Sequence, residues 1–187
     1  NDIVLKEDGT IYSATDGGLW KLNQSNEESD LISIGSDLVA TGLNTACTDG
    51  FGNIWFGSKN NKGLIQIFNP DDSLMFVLNS EDANYMMDLV VKPDHAFAIV
   101  QHEGQPALME FRFDQDHNPY IQDIYNEFPI EVGAITHVSS YGDSVKLCTG
   151  EGIISGNFRE GLLNAADNWH VNNQFDHPVK ILPGTDN

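Results

Sequence analysis

Asp49-Gly-Phe-Gly-Asn-Ile-Trp-Phe-Gly-Ser58 and, after a polar loop, Gly63-Leu-Ile-Gln-Ile-Phe68 form the stretch that decides the fold. Ile54, Trp55 and Phe56 are branched or aromatic, and such side chains favour an extended backbone because they fit a pleated surface. The Asp-Gly and Gly-Asn pairs before them are typical turn residues. The stretch therefore predicts a turn, a strand, a loop and a second strand.

The same pattern returns along the chain. Its copies, aligned on Thr10, Asn53, Ala96 and Ser144, stand at intervals of 43, 43 and 48 residues. The third copy is the weakest, because Ala98 falls at the position that Trp55 holds in the second. A repeat of about 40–50 residues that contains only strands is typical of β-propeller blades, which have about four strands each.

The sequence thus predicts one all-β domain of four four-stranded antiparallel blades plus the start of a fifth. The predicted blades cover residues 1–36, 37–80, 81–128 and 129–174, and the next begins within 175–187. Four blades and a start fall short of a common ring, so we expect part of a larger propeller whose remaining blades come from the same or another chain. A closed small propeller and a twisted sandwich are the alternatives.

Three individual elements can be checked against the structure. The outer strand of the first blade is predicted at Leu31–Ile34, after a polar loop at Asn23–Asp30. A helical turn or two is predicted at Glu160–Asn168, and the inner strand of a fifth blade at Val179–Leu182. Helix is not expected elsewhere.

Charge and composition exclude some classes of partner. Lys and Arg number 9 against 28 Asp and Glu, which gives a net charge of −19. Nucleic-acid binding depends on cationic side chains that neutralise phosphates, so no nucleic-acid partner is expected. No apolar run approaches 18 residues, so this segment is not expected to insert in a membrane. The two cysteines, Cys47 and Cys148, are expected as free thiols, with one disulfide as the alternative.

The second copy resembles the two-component regulator propeller repeat, with which it shares, among others, Asp49, Gly52, Asn53, Trp55 and Gly63. The resemblance implies a periplasmic or extracellular sensor module of the kind found in hybrid two-component systems of Bacteroidetes, whose propellers bind carbohydrate fragments. Similar repeats occur in surface-attachment proteins of the type IX secretion system. The repeat is also similar to that of streptogramin lyase, a propeller enzyme whose catalytic His and metal-supporting Glu cannot be placed here by motif.

Two hairpin loops contain the candidate ligand-binding residues, because binding residues concentrate on loops held by a rigid scaffold. They are Asn60, Asn61 and Lys62 in the second blade, and His102, Glu103 and Gln105 in the third. The alternative is that both are solvated polar hairpins.

A calcium site is the weak metal candidate. Asp114, Asp116 and Asn118 have the alternating spacing of a calcium loop. However, Pro119 stands where such a loop needs Gly, and Tyr125 where it needs Glu. A plain hairpin turn is the alternative, and no other cofactor is expected.

Catalytic patterns are weak. His137 is the best-placed histidine, on a predicted inner strand, but Ser139 and Ser140 after it do not make a triad. We therefore expect a non-enzymatic module that binds carbohydrate or another small ligand outside the cytoplasm. A structural propeller that docks protein partners in a secretion or surface-attachment system is the alternative, and a lyase-type enzyme is the third possibility.

Overall fold

The chain folds into four sheets that follow one another in sequence. The structure, a computed structural model, describes residues 2–34, 37–159, 163–175, 178, 180 and 181. Within these residues there are four antiparallel sheets of four strands each, and each sheet takes its strands in chain order. The fold is all-β, as the repeat predicts, and the sheets have the arrangement of propeller blades.

The strand bounds define the blades used below. Blade 1 contains β1 (Ile3–Leu5), β2 (Thr10–Thr15), β3 (Gly18–Asn23) and β4 (Glu28–Ile32). Blade 2 contains β5 (Leu43–Thr48), β6 (Ile54–Ser58), β7 (Ile65–Phe68) and β8 (Leu74–Leu78). Blade 3 contains β9 (Ala83–Val91), β10 (His95–His102), β11 (Gln105–Phe113) and β12 (Pro119–Tyr125). Blade 4 contains β13 (Ile135–Tyr141), β14 (Ser144–Thr149), β15 (Gly152–Asn157) and β16 (Trp169–Asn172).

Each blade packs against the next through apolar side chains. We call the side of a sheet that faces the following blade its trailing face, and the other side its leading face. Tyr12, Trp55 and Phe97 stand on the second strands of blades 1, 2 and 3, and each is buried in the seam with the following blade. Among the described residues, three hydrophobic cores therefore lie between the four sheets.

The register of blade 3 differs from the prediction. Ala98 packs in the core between blades 2 and 3, whereas Phe97 faces blade 4. Strands β10 and β11 pair from His95–Arg112 to His102–Gln105, a longer ladder than in the other hairpins. Because side chains alternate between the two faces of a strand, a shift of one residue moves the aromatic position from Ala98 to Phe97.

Two further predictions need correction. The outer strand of blade 1 is Glu28–Ile32 rather than Leu31–Ile34, because polar residues of the expected loop pair with β3 at an exposed sheet edge. Within the described part of 160–168, only Ala166–Asn168 is helical, as a single 3-10 turn.

The predicted fifth inner strand lies mostly outside the described residues. Of Val179–Leu182, only Lys180 and Ile181 are described, with no strand assigned to them. The Thr136 hydroxyl on β13 donates to the Pro178 carbonyl at 3.3 Å. This contact places residue 178 beside the inner strand of blade 4.

The loops after the third strands tie neighbouring blades together. Asp72, between β7 and β8, accepts hydrogen bonds from the Tyr12 hydroxyl and the Lys21 ammonium of blade 1. Arg159, after β15, pairs in the same way with Asp94 of blade 3. Within the described residues, no helix has the length and apolar character needed to cross a bilayer.

Candidate functional site

One side of the array carries the loops that join second to third strands, together with the connections between blades. On this side the Gly42 N–H donates to the Asp16 carbonyl, and the Lys59 N–H donates to the Gly42 carbonyl, both at 3.0 Å. The Ser80 N–H donates to the Asn61 carbonyl at 3.1 Å. These bonds join loops of different blades into one surface, which we call the upper face.

A cluster of four side chains, the upper-face cluster, spans three blades on this surface. It consists of Asp16 from blade 1, Lys59 and Asn60 from blade 2, and Tyr85 from the inner strand of blade 3. Lys59 Nζ lies 2.5 Å from Asp16 Oδ1 and 6.0 Å from the centre of the Tyr85 ring. The Asn60 side-chain amide donates to the Thr41 carbonyl at 2.9 Å. The cluster thus places the Tyr85 ring beside the Lys59 ammonium, which pairs with the Asp16 carboxylate, and Asn60 adds an amide next to Lys59 in the chain.

Tyr85 is held in an unusual backbone conformation. Its φ is +51°, in the left-handed region that a bulky residue seldom adopts. The residue lies where the pairing of β9 with β10 is irregular, and its side chain is 36% exposed. Such strain costs of the order of 1–3 kcal/mol and concentrates at ligand-binding sites. The fold therefore retains an unfavourable conformation that presents a tyrosine to solvent.

The charges of the upper-face cluster are fixed by their pairing. The hydrogen bond from Lys59 lowers the pKa of Asp16 below its ordinary value. The same hydrogen bond raises the pKa of Lys59 above its ordinary value. Both groups are therefore charged at neutral pH, and they present one donor and one acceptor to a ligand next to the ring.

The two predicted loops differ in their surroundings. Asn60 belongs to the upper-face cluster, while Asn61 and Lys62 are exposed beside it. In blade 3 the His102 Nδ1 lies 2.7 Å from the carbonyl of Asp82. Glu103 and Gln105 are exposed at the tip of that hairpin. A ligand-binding role for these six residues stays a prediction, and the structure adds Tyr85, Lys59 and Asp16 next to the first loop.

A second feature of the upper face is an open groove in blade 4, with a volume of about 590 Å³. That volume lies within the range of small-molecule sites. Two exposed carboxylates, Glu131 and Glu151, give it an acidic lining beside apolar side chains. Its lining residues are Ile130, Glu131, Gly133, Glu151, Val171 and Asn173.

The predicted calcium residues form a turn centred on Asp114. Its Oδ1 accepts the backbone N–H groups of Asp116 and Asn118, both at 2.9 Å. The backbone hydrogen bond from Asn118 contributes most to lowering the pKa of Asp114. In the parts of the chain that the structure describes, no three His, Cys, Asp or Glu side chains come together as metal ligands. Calcium binding at this turn stays a prediction.

Ser140 does have histidine and carboxylate neighbours, although not through His137. Its hydroxyl lies 2.7 Å from His95 Nε2, and His95 Nδ1 lies 2.7 Å from Asp94 Oδ1. This is the bonding order of a serine–histidine–aspartate triad. However, Ser140 and His95 are buried, and the Phe158 ring lies 4.5 Å from the imidazole, centre to centre. Burial also lowers the pKa of His95, although Asp94 opposes this effect. The hydrogen bond between Ser140 and His95 therefore joins blade 4 to blade 3 inside their shared seam.

His137 likewise connects blades. Its Nδ1 lies 2.6 Å from Asp88 Oδ2 of blade 3, and the same carboxylate oxygen accepts the Val138 N–H at 2.8 Å. Its Nε2 lies 3.3 Å from the Ile181 carbonyl. The first blade has a similar tie, because Asp2 Oδ2 accepts the Ala46 N–H of blade 2 at 3.2 Å. Both cysteines are free, and burial raises the pKa of the Cys47 thiol.

Comparison with known proteins places the fold and leaves the family open. No protein-family model and no curated protein matches the chain. Among solved structures, PorZ, a surface component of the type-IX secretion system of Porphyromonas gingivalis, matches 90% of the chain with a TM-score of 0.67 at 14% identity. The extracellular domain of a hybrid two-component system from B. thetaiotaomicron matches 96% with a TM-score of 0.62 at 16% identity.

A third similar structure is an auxiliary nutrient binding protein from Bacteroides ovatus, with a TM-score of 0.54 at 14% identity over 83% of the chain. The chain spans only 26%, 24% and 44% of the lengths of these three proteins. At such identities the likeness shows a shared fold.

Proposed function

We propose that the chain is a non-enzymatic ligand-binding module of a periplasmic or extracellular protein, and that it takes a carbohydrate at the upper-face cluster. The observation that carries the proposal is Tyr85, whose exposed ring is kept in a strained conformation beside Lys59 and Asp16. A pyranose ring has an apolar C–H face, which packs on an aromatic ring. Its hydroxyls can at the same time bond to a carboxylate, an ammonium or an amide.

The similar structures support this proposal in outline. Two of them are an extracellular domain of a hybrid two-component system and an auxiliary nutrient binding protein. A module that senses or retains a nutrient outside the cytoplasm agrees with both. Asn61, Lys62, His102, Glu103 and Gln105 are the loop residues that would extend the contact beyond the upper-face cluster.

The second candidate is a propeller that docks protein partners in a secretion or surface-attachment system. It is favoured by the likeness to PorZ, which is a surface component of such a system. The third hypothesis, a lyase-type enzyme, has less support. It needs a His–Glu pair, whereas the histidine–carboxylate pairs among the described residues join His95 to Asp94 and His137 to Asp88.

The test measures binding of neutral and uronate-bearing oligosaccharides on an array, followed by titration calorimetry of those that bind. Tyr85→Gly removes the ring and suits the positive φ, so we expect folding stability to be unchanged or higher while affinity falls about tenfold or more, ~1.4 kcal/mol. Tyr141→Ala is the matched control, because Tyr141 is even more exposed but lies at the β13–β14 turn on the opposite side of the array.

Three results would count against the proposal. They are no binding to any oligosaccharide, equal losses in the two variants, and a loss confined to changes in the blade 4 groove, such as Glu151→Gln. The last would move the ligand to that groove.

A further inference from the structure

The leading face of blade 1 is an apolar sheet surface on which no sheet packs within the part of the chain that the structure describes. Cross-strand pairing puts four side chains in one row, and a second row runs beside it. The first row is Ile3, Ser13, Trp20 and Leu31, and the second is Leu5, Ile11, Leu22 and Ser29. Ile3 and Leu5 are 66% and 64% exposed, and Leu31 is 52% exposed. Six of these eight residues are large and apolar, an unusual surface for a solvated sheet face.

The seams inside the chain show what covers such a face. Ile54 in blade 2 and Val145 in blade 4 hold the repeat position of Ile11, and both are fully buried by the preceding blade. Ile11 itself remains partly exposed. At two of these seams the preceding blade contributes Tyr12 or Phe97 from its second strand. The leading face of blade 1 therefore resembles the faces that pack against a preceding blade inside the chain, but here the preceding blade is missing from the described residues.

A second copy of this chain is a poor occupant in head-to-tail order. The trailing face of blade 4 carries the row Ser139, Lys146, Ser155 and His170. Lys146 is exposed and stands where blades 1 and 2 have Tyr12 and Trp55. Placing a lysine against Ile11 and Trp20 would remove its charge from water without a partner, which is costly.

The start of β1 is held at the place where the connection from a preceding blade would enter. The Asp2 carbonyl accepts the Ala14 N–H at 2.9 Å, and the Asp2 carboxylate accepts the Ala46 N–H, so the chain is anchored at β1. Between blades 2 and 3 the outer strand ends at Leu78 and the next inner strand begins at Ala83, so a short connection suffices. The similar proteins PorZ and the two-component system domain are also much longer than this chain.

We propose that the leading face of blade 1 is the docking surface for one more four-stranded blade, encoded by the same polypeptide upstream of residue 1. That blade presents an aromatic side chain from its second strand to the first row of the face. The array is then extended at its apolar end, with the connection to β1 on the upper face.

The experiment compares the 187-residue chain with a chain extended upstream by about 45 residues, the usual length of one blade repeat. Leu31→Lys and Ile3→Lys are introduced into both chains, and Ser155→Lys on the trailing face of blade 4 is the control. We expect the lysines to change the melting temperature of the 187-residue chain by less than about 2 °C and to lower that of the extended chain by about 4 °C or more. Ser155→Lys should be silent in both.

Acrylamide quenching of tryptophan fluorescence gives a second readout. Trp20 is exposed whereas Trp55 and Trp169 are buried, so quenching of the 187-residue chain reports on Trp20. The extended chain should show at least twofold weaker quenching. Equal melting shifts in the two chains, unchanged quenching, or an upstream reading frame without a strand repeat would overturn the proposal. So would a discrete dimer of the 187-residue chain that Leu31→Lys dissociates, because a second copy would then cover the leading face of blade 1.

Discussion

The two end faces of the four-blade array differ in chemistry although they belong to the same repeat. The leading face of blade 1 carries aliphatic and aromatic side chains, whereas the trailing face of blade 4 carries the polar row of Ser139, Lys146, Ser155 and His170. Among the residues that the structure describes, neither face is covered by a full sheet. The hydrophobic effect therefore acts more strongly on the blade 1 end than on the blade 4 end, which makes the array directional.

The difference between the two end faces is clearest at one position on the second strand of each blade. It holds Tyr12, Trp55 and Phe97 in blades 1 to 3, where the side chain is buried, and Lys146 in blade 4, where it is exposed. A bulky ring at this position gives a seam most of its buried area, because a single aromatic side chain buries about 150–250 Å². The identity of this residue thus shows whether a blade is built to receive an apolar neighbour.

The largest effect is expected for Trp55→Ala compared with Lys146→Ala. Trp55 packs edge-to-face with Phe113, 5.8 Å away between ring centres, and its indole N–H donates to Asp49 at 3.1 Å. Truncation removes the ring and leaves a cavity, so we expect a loss of about 3–5 kcal/mol in the free energy of unfolding. Lys146→Ala should change it by less than about 0.5 kcal/mol.

Equilibrium urea unfolding of the two variants measures this contrast. Comparable losses would mean that the trailing face of blade 4 is a packed seam, and the comparison between the two ends would then be wrong. A small loss for Trp55→Ala would show that the aromatic position does not hold the blades together.

The sequence predicted the fold well because the signals are local. Branched and aromatic residues next to Gly-rich turns were enough to place β6 and β7 to within a few residues. The outer strand of blade 1 was misplaced, because Glu28, Ser29 and Asp30 are polar and their pairing with β3 follows from the edge they occupy. Polar edge strands carry little periodic signal.

The candidate site was only partly predictable. Asn60 could be chosen because loops on a rigid scaffold are common binding positions. Tyr85 could not, since neither Gly nor Asn marks the left-handed conformation there and its contact with Lys59 crosses a blade seam. The pairing of Ser140 with His95 was also missed, because it joins residues 45 positions apart.

The second-largest effect is expected for a substitution two residues after the aromatic position on the second strand of a blade. This residue is Ala14 in blade 1, Gly57 in blade 2 and Cys148 in blade 4. A Cβ at Gly57 would lie 2.5 Å from Met86 Sδ and 2.6 Å from Thr45 Cγ2, which is too close for any ordinary contact. Gly57→Ala should therefore overpack the seam between blades 2 and 3 and cost about 1–3 kcal/mol.

Thermal unfolding of Gly57→Ala, Met86→Ala and the double variant measures this effect. We expect the double variant to lose less than the sum of the two single losses, because the truncated methionine makes room for the added methyl group. Gly133→Ala is the control, since nothing lies within 4 Å of a Cβ there. Additive losses in stability would show that Gly57 is required for its backbone conformation, and that the seam between blades 2 and 3 can accommodate the added methyl group.

The smallest effect is expected for a substitution at Asp72, in the polar part of the seam between blades 1 and 2. Burial by itself would raise the pKa of Asp72, but hydrogen bonds from Lys21 and Tyr12 and the charge of Lys6 hold it below its ordinary value. A carboxyl group whose pKa is lower in the folded state stabilises the fold above its unfolded pKa, about 3.9, and this stabilisation is lost as the pH falls through the folded value.

We therefore expect Asp72→Asn to cost about 1 kcal/mol at pH 7, with the difference from the parent chain constant down to about pH 5 and shrinking below about pH 4. Urea unfolding at a series of pH values measures the difference, and Asp71→Asn is the control because Asp71 is exposed in the same loop. A difference independent of pH down to pH 2 would mean that the hydrogen-bond geometry at Asp72 matters and its charge does not. The seam between blades 1 and 2 would then resemble the apolar seams more closely than its ion pairs suggest.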